Sequence, residues 1–276
     1  MPRLRTCSAT VLLLAAALQP QASWVEAKSS HFSISYQPGY ENDMEFTRTW
    51  LGRAEELLKD KYGAVFTGFF VSLYLYPAPT ENANVGLADL HCCSKGANGV
   101  RIGTISLLAP SAPVWKDSVG RTSLGLSKDE SYHAKLIMSE YITVGHYIVQ
   151  ESRAVAGGWR YYSAPQWFVQ GLQEYDGMFH TTDTNRRVTG TALLQWARSH
   201  TSMFSCCAAG LVISEPYNGG ATFMTFLAAQ FGEGIHARLL QDAAPTFEGA
   251  LENQTKPYRL PELFDRFQAW LSTKAR

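Results

Sequence analysis

The sequence has no excess of charge of either sign. Lysine plus arginine number 24 and aspartate plus glutamate number 24, so the formal net charge is zero. No basic stripe advertises a polyanionic partner, and nucleic acid is not expected as a ligand. After the amino terminus the chain lacks any apolar run long enough for a transmembrane helix. It also lacks internal repeats and low-complexity linkers, which argues against solenoid and tethered-domain architectures. No G-x-S-x-G occurs, so the strained nucleophile turn of the α/β-hydrolases is missing. Gly99-Val100-Arg101-Ile102-Gly103 lacks the Lys-Ser/Thr and the following helix of a phosphate loop. Ser139, Glu140 and His146 do not make a nucleophilic triad by spacing alone.

What is present describes an ordered globular chain. Hydrophobic residues make up 46% and charged residues 17% of 276 positions, enough to bury a sizeable core. Arg3 and Arg5 precede an apolar run, Ala9 to Leu18, broken only by Thr10, and then Gln19-Pro20-Gln21-Ala22-Ser23. That order of charge, apolar stretch and small residues predicts a signal peptide over 1–27, cleaved between Ala22 and Ala27, and an exported protein, extracellular or periplasmic. An amino-terminal anchor helix is the alternative. Cleavage removes Cys7 and leaves Cys92, Cys93, Cys206 and Cys207. An even number in an exported protein favours disulfides, and strain between neighbouring cysteines favours bonds from one pair to the other. Four packed thiols remain an alternative, as does a zinc site, although the spacing lacks C-x-x-C.

Periodicity sets the element order. Phe32, Ile34 and Tyr36 alternate in a strand over His31 to Tyr36. Phe46, Trp50, Ala54, Leu57 and Leu58 fall at helical spacing within Glu41 to Tyr62, with Gly63 as the stop. Phe69 to Tyr76, Val85 to Leu90 and Val100 to Leu108 read as further strands. Helices are then predicted over Glu130 to Ala154, Pro165 to Phe179, Thr184 to His200, Gly220 to Phe231, Ile235 to Gln241 and Leu260 to Ser272. Strands followed by helices imply an α+β fold: a small mixed sheet with one long helix over 28–127, and a mostly helical lobe over 128–276.

The run Pro165-Gln166-Trp167-Phe168-Val169-Gln170-Gly171-Leu172-Gln173-Glu174-Tyr175 resembles the P-x-W-hydrophobic-x-E-G-L-A-E-Y helix of peptidase MA-type gluzincins. Pro216-Tyr217-Asn218-Gly219-Gly220-Ala221-Thr222-Phe223 is similar to that family's Y-x-x-G-x-x-F helix start. The likeness covers roughly residues 31–272. It implies a zinc metallopeptidase fold, with an HExxH helix supplying two His ligands and a Glu base, and the Glu before Gly as third ligand. Here the helix over 130–154 carries Ser139-Glu140-Tyr141-Ile142-Thr143 in that register, and Gln170 at the third position. A second register, Ile142-Thr143-Val144-Gly145-His146, keeps one His and loses the base.

The resemblance therefore implies former metal positions at Ser139, Thr143 and Gln170, all neutral oxygen donors that zinc disfavours, so no cofactor is expected. Glu140 stands as the former general base and Tyr217 as a tyrosine facing the site. Trp167, Glu174 and Tyr175 would line the cleft, and Glu140, His146 and Glu174 form the alternative zinc set. Val100 to Leu107 resembles the edge strand along which the family holds substrate. The expected function is a catalytically degenerate protein that binds a peptide or similar extended ligand in the former active-site cleft. An active metal-dependent hydrolase and a structural or partner-binding extracellular domain are the rivals. Core packing is the alternative reading for the aromatics Trp159, Tyr161, Tyr162 and Trp167.

Overall fold

The computed structural model describes residues 23–79, 89–95, 100–117, 124, 130–153, 157–180, 183–207 and 210–273. Most of the predicted signal peptide, with Cys7, lies outside these. The chain opens with β1 (Val25–Lys28) and β2 (Phe32–Tyr36), followed by α1 (Glu41–Tyr62) and β3 (Phe69–Tyr76). Acidic residues in the first turn of α1 and lysines in its last complement the helix dipole. Gly63 ends it in the left-handed conformation, φ 63°, and its N–H bonds the carbonyls of Leu58 and Lys59. Next come β4 (Asp89–Lys95), β5 (Arg101–Leu108), a single turn α2 (Val114–Asp117) and the long α3 (Glu130–Arg153).

Among the described residues these strands form one five-stranded mixed sheet in the order β1-β2-β3-β5-β4. The inner strands β2, β3 and β5 run parallel, and β1 and β4 close the two sides antiparallel. The connection from β2 to its parallel neighbour β3 runs through α1, as parallel pairing requires. Val71, Leu73 and Leu75 are buried while their alternate neighbours are half-buried, the period-2 pattern read in the sequence. The inner face meets α1 and α3. These two helices approach closely where Leu58 fills the space a side chain at Gly145 would need.

The second half contains α4 (Gln166–Phe179), α5 (Asp183–Ser199), a short hairpin of β6 (Phe204–Ser205) and β7 (Val212–Ile213), then α6 (Asn218–Phe231), α7 (Ile235–Gln241), α8 (Phe247–Gln254) and α9 (Leu260–Thr273). The fold is α+β, as expected. Helices α4 and α6 cross with the Gly171 and Gly220 backbones in contact, and a methyl group at either would collide with main-chain atoms. Trp167, Phe168, Phe223, Phe226, Phe247 and Phe267 pack edge-to-face and tilted around that crossing. One hydrophobic cluster runs from the sheet through α3 into these helices.

Several expectations need correction. The strand Val100 to Leu107 is not an edge: β5 is paired on one side by β3 and on the other by β4, so its backbone groups are already spent. On that side of the sheet the edge strand is β4. The strand expected over Val85 to Leu90 has its first four residues outside the described set, and the observed strand runs on to Lys95. β1, the β6–β7 hairpin and α8 were not anticipated; each is short, and tertiary pairing and packing rather than local pattern decide them. Pro165 is the N-cap of α4, one position before its expected place. Cys206 and Cys207 stand side by side directly after β6. The expected partners Cys92 and Cys93 have side chains outside the described residues.

Candidate functional site

α3 and α4 lie side by side, and their facing polar residues fall into two groups. The first contains Glu140, whose Oε1 accepts a 2.8 Å hydrogen bond from Gln173 Nε2. Lys135, one turn earlier on α3, pairs with Glu174 at 2.5 Å. Tyr217, the N-cap of α6, is about half exposed at the rim. Burial, and the nearby carboxylates of Glu140, Glu174 and Glu215, push its ionisation above the ordinary tyrosine value, so it carries its phenolic proton. Glu215 accepts from the Tyr217 and Gly219 N–H groups and so fixes this helix start. Glu140, Glu174 and Tyr217, singled out from sequence, thus come together.

The expected metal positions are used differently. Ser139 Oγ donates to the Lys135 carbonyl and abuts Gly177 of α4, where no side chain would fit. Thr143 Oγ1 donates to the Ser139 carbonyl at 3.0 Å. The α4 amide that reaches the Glu140 carboxylate is Gln173, not Gln170, which is half-buried one turn earlier. Small residues at 139 and 177 let the two helices close upon each other.

The second group was not foreseen. Asp176 is fully buried and accepts from Lys61 Nζ at 2.7 Å, Tyr62 Oη at 2.5 Å and His146 Nε2 at 2.9 Å. His180 approaches its other side at 3.6 Å. Burial opposes the Asp176 charge, but Lys61 and then His146 outweigh it and hold the carboxyl well below the usual range. Burial is also the main effect at His146, lowering its pKa against the pull of Asp176. The neutral ring donates from Nε2 to Asp176, which leaves Nδ1 to face Tyr161 Oη at 3.4 Å. Four elements, α1, α3, α4 and the turn at Tyr161, are thereby tied to one carboxylate. Asp176 directly follows the resembling motif, but nothing in the local sequence pairs it with Lys61, 115 residues away.

The alternative zinc set is therefore divided: His146 is committed to Asp176, Glu140 bonds Gln173, and Glu174 pairs with Lys135. Among the described residues no three His, Cys, Asp or Glu side chains approach as a metal ion would need. Two expected cleft residues also move to the core. Trp167 is buried and donates to the Leu211 carbonyl. Tyr175 is buried beneath Lys61 and donates to Glu233 at 2.8 Å. Their helix turns these aromatics towards α6 and α7. Trp159 and Tyr161 are core as well, while Tyr162 is exposed.

The chain matches no protein-family model, and no curated protein matches it.

Proposed function

We propose that this is an exported protein with a peptidase MA-like (gluzincin-type) fold, its metal positions replaced, which binds a peptide or similar extended ligand beside α3. The observation that carries the reading is the use of the former ligand positions. Ser139 and Thr143 spend their hydroxyls on α3 carbonyls, and Ser139 closes the helix pair against Gly177. Such positions support packing rather than coordination, since zinc binds nitrogen, sulfur or charged oxygen held open towards it. The resembling segments 165–175 and 216–223 also meet directly, through Gly171 and Gly220, which accounts for glycine in both.

For the ligand, β4 is the outer strand on the β5 side of the sheet and, with β5, rests against α3. A peptide adding to it as a further strand needs no metal. The test uses the full-length exported protein. Metal analysis is expected to find far less than one zinc per chain, with no chelator-sensitive peptidase activity. Ten-residue peptides from a random mixture are expected to bind saturably, and main-chain N-methylation at alternate residues is expected to abolish binding. Stoichiometric zinc would favour the hydrolase reading. Absence of peptide binding would leave the partner-binding domain.

A further inference from the structure

A cavity of about 430 Å³ opens at the amino ends of the parallel strands β2, β3 and β5. It uses none of the residues of the α3–α4 groups. Its walls are mostly apolar, with Phe66, Phe69, Phe70 and Ile102, and its polar lining residues are Ser30, His31 and Thr67. That is the size and character of a small-molecule pocket, largely apolar with a few placed polar groups.

His31 is held there by a closed ring of contacts. Its imidazole stacks on Phe66, centroids 5.5 Å apart and planes 23° from parallel. Phe66 in turn stacks on Tyr141 at 6.1 Å. Tyr141 Oη donates to Glu55 Oε1 at 2.6 Å, and the same oxygen lies 3.2 Å from His31 Nδ1. Burial, and then the Glu55 charge, push Tyr141 ionisation far above the ordinary value, so the phenol remains a donor. A carboxylate only accepts, which assigns the proton at the second contact to His31 Nδ1. In the neutral ring Nε2 is then an acceptor, oriented by its partner as a carboxylate orients a functional histidine.

We propose that this cavity binds a phenolic group, its ring against the phenylalanines and its hydroxyl donating to His31 Nε2. A flat ring suits the aromatic walls, and a hydroxyl suits the braced acceptor at His31. The phenol can belong to a free small molecule or to a tyrosyl side chain of a peptide.

The test is titration of full-length protein at pH 8 with 4-ethylphenol, ethylbenzene and N-acetyltyrosinamide, read by ligand-observed NMR in every variant and, where His31 is present, also by the NMR signal of its ring. 4-Ethylphenol is expected to shift that signal saturably at millimolar concentration and to bind about tenfold more tightly than ethylbenzene. His31→Phe keeps the stack and is expected to erase that preference. Ile102→Phe fills the cavity from a half-buried position and is expected to abolish both ligands, which keeps the proposal testable if His31→Phe fails to fold. N-Acetyltyrosinamide binding as tightly as 4-ethylphenol assigns the group to a tyrosyl side chain, and its exclusion assigns it to a free phenol. No saturable shift with 4-ethylphenol, equal binding of ethylbenzene, or a preference that survives in His31→Phe overturns the proposal.

Discussion

At Asp176 a single buried carboxylate joins α1, α3 and α4 through Lys61, Tyr62 and His146. Asp176→Asn would leave Lys61 charged and buried with its anion gone, and breaking such a pair typically costs about 3–5 kcal/mol. The double variant Lys61→Met, Asp176→Asn removes both charges and is expected to recover most of that loss, as read by urea unfolding in a double-mutant cycle. His236 is equally enclosed. Its Nε2 donates to the Met224 carbonyl, its Nδ1 has no hydrogen-bond partner among the described residues, and burial pushes its pKa down to about 3. The folded state therefore refuses a proton that the unfolded chain takes up below about pH 6.5. Stability is full above that pH and falls as pH drops towards 3, by at most about 1.4 kcal/mol per pH unit from this residue. His146, also lowered, adds in the same direction. The Asp176 contribution persists above the ordinary aspartate value near 3.9 and is lost only in stronger acid. His236→Gln is expected to flatten the dependence between pH 6.5 and 4 in urea midpoints, whatever its effect at pH 8.

Among elements, the α4–α6 crossing is the tightest helix contact described. Gly171→Ala or Gly220→Ala forces two main chains apart, and overpacking of this kind costs about 1–3 kcal/mol, more where backbone must move. Thermal unfolding is expected to register either change, while Gly52→Ala, on α1 with open space around it, serves as the harmless control. The first strand bears on export. β1 pairs Val25 to Lys28 with β2, so cleavage after Ala27 would discard most of it, whereas cleavage after Ala22 leaves it whole. Amino-terminal sequencing of exported protein is therefore expected to begin at Ser23, and recovery of intact Met1 on membranes would instead support an anchor.

In the whole molecule, no described helix is long and apolar enough to cross a membrane. The sheet and the helical half share one core, so loss of either is expected to unfold both in a single transition. Much of this was legible in the sequence. α1 appears over Glu41–Tyr62 and β3 over Phe69–Tyr76 as their periods of 3.6 and 2 required, because an amphipathic stripe that long has one stable burial. Glu140, Glu174 and Tyr217, singled out through the resemblance, lie on α3, α4 and the N-cap of α6, elements that the local pattern had marked. The neighbours of those residues were not legible. Whether Gln170 or Gln173 meets Glu140 depends on the rotation of α4 against α3, and whether Trp167 and Tyr175 face a cleft or a core depends on where α6 lies. The joining of Lys61, Tyr62, His146 and Asp176, and of His31, Glu55 and Tyr141, spans separations that no local pattern encodes. Local chemistry determined most of the elements and their order. Only the packing of those elements decided which polar groups share a buried space, because that depends on distances set by the fold and not by the chain.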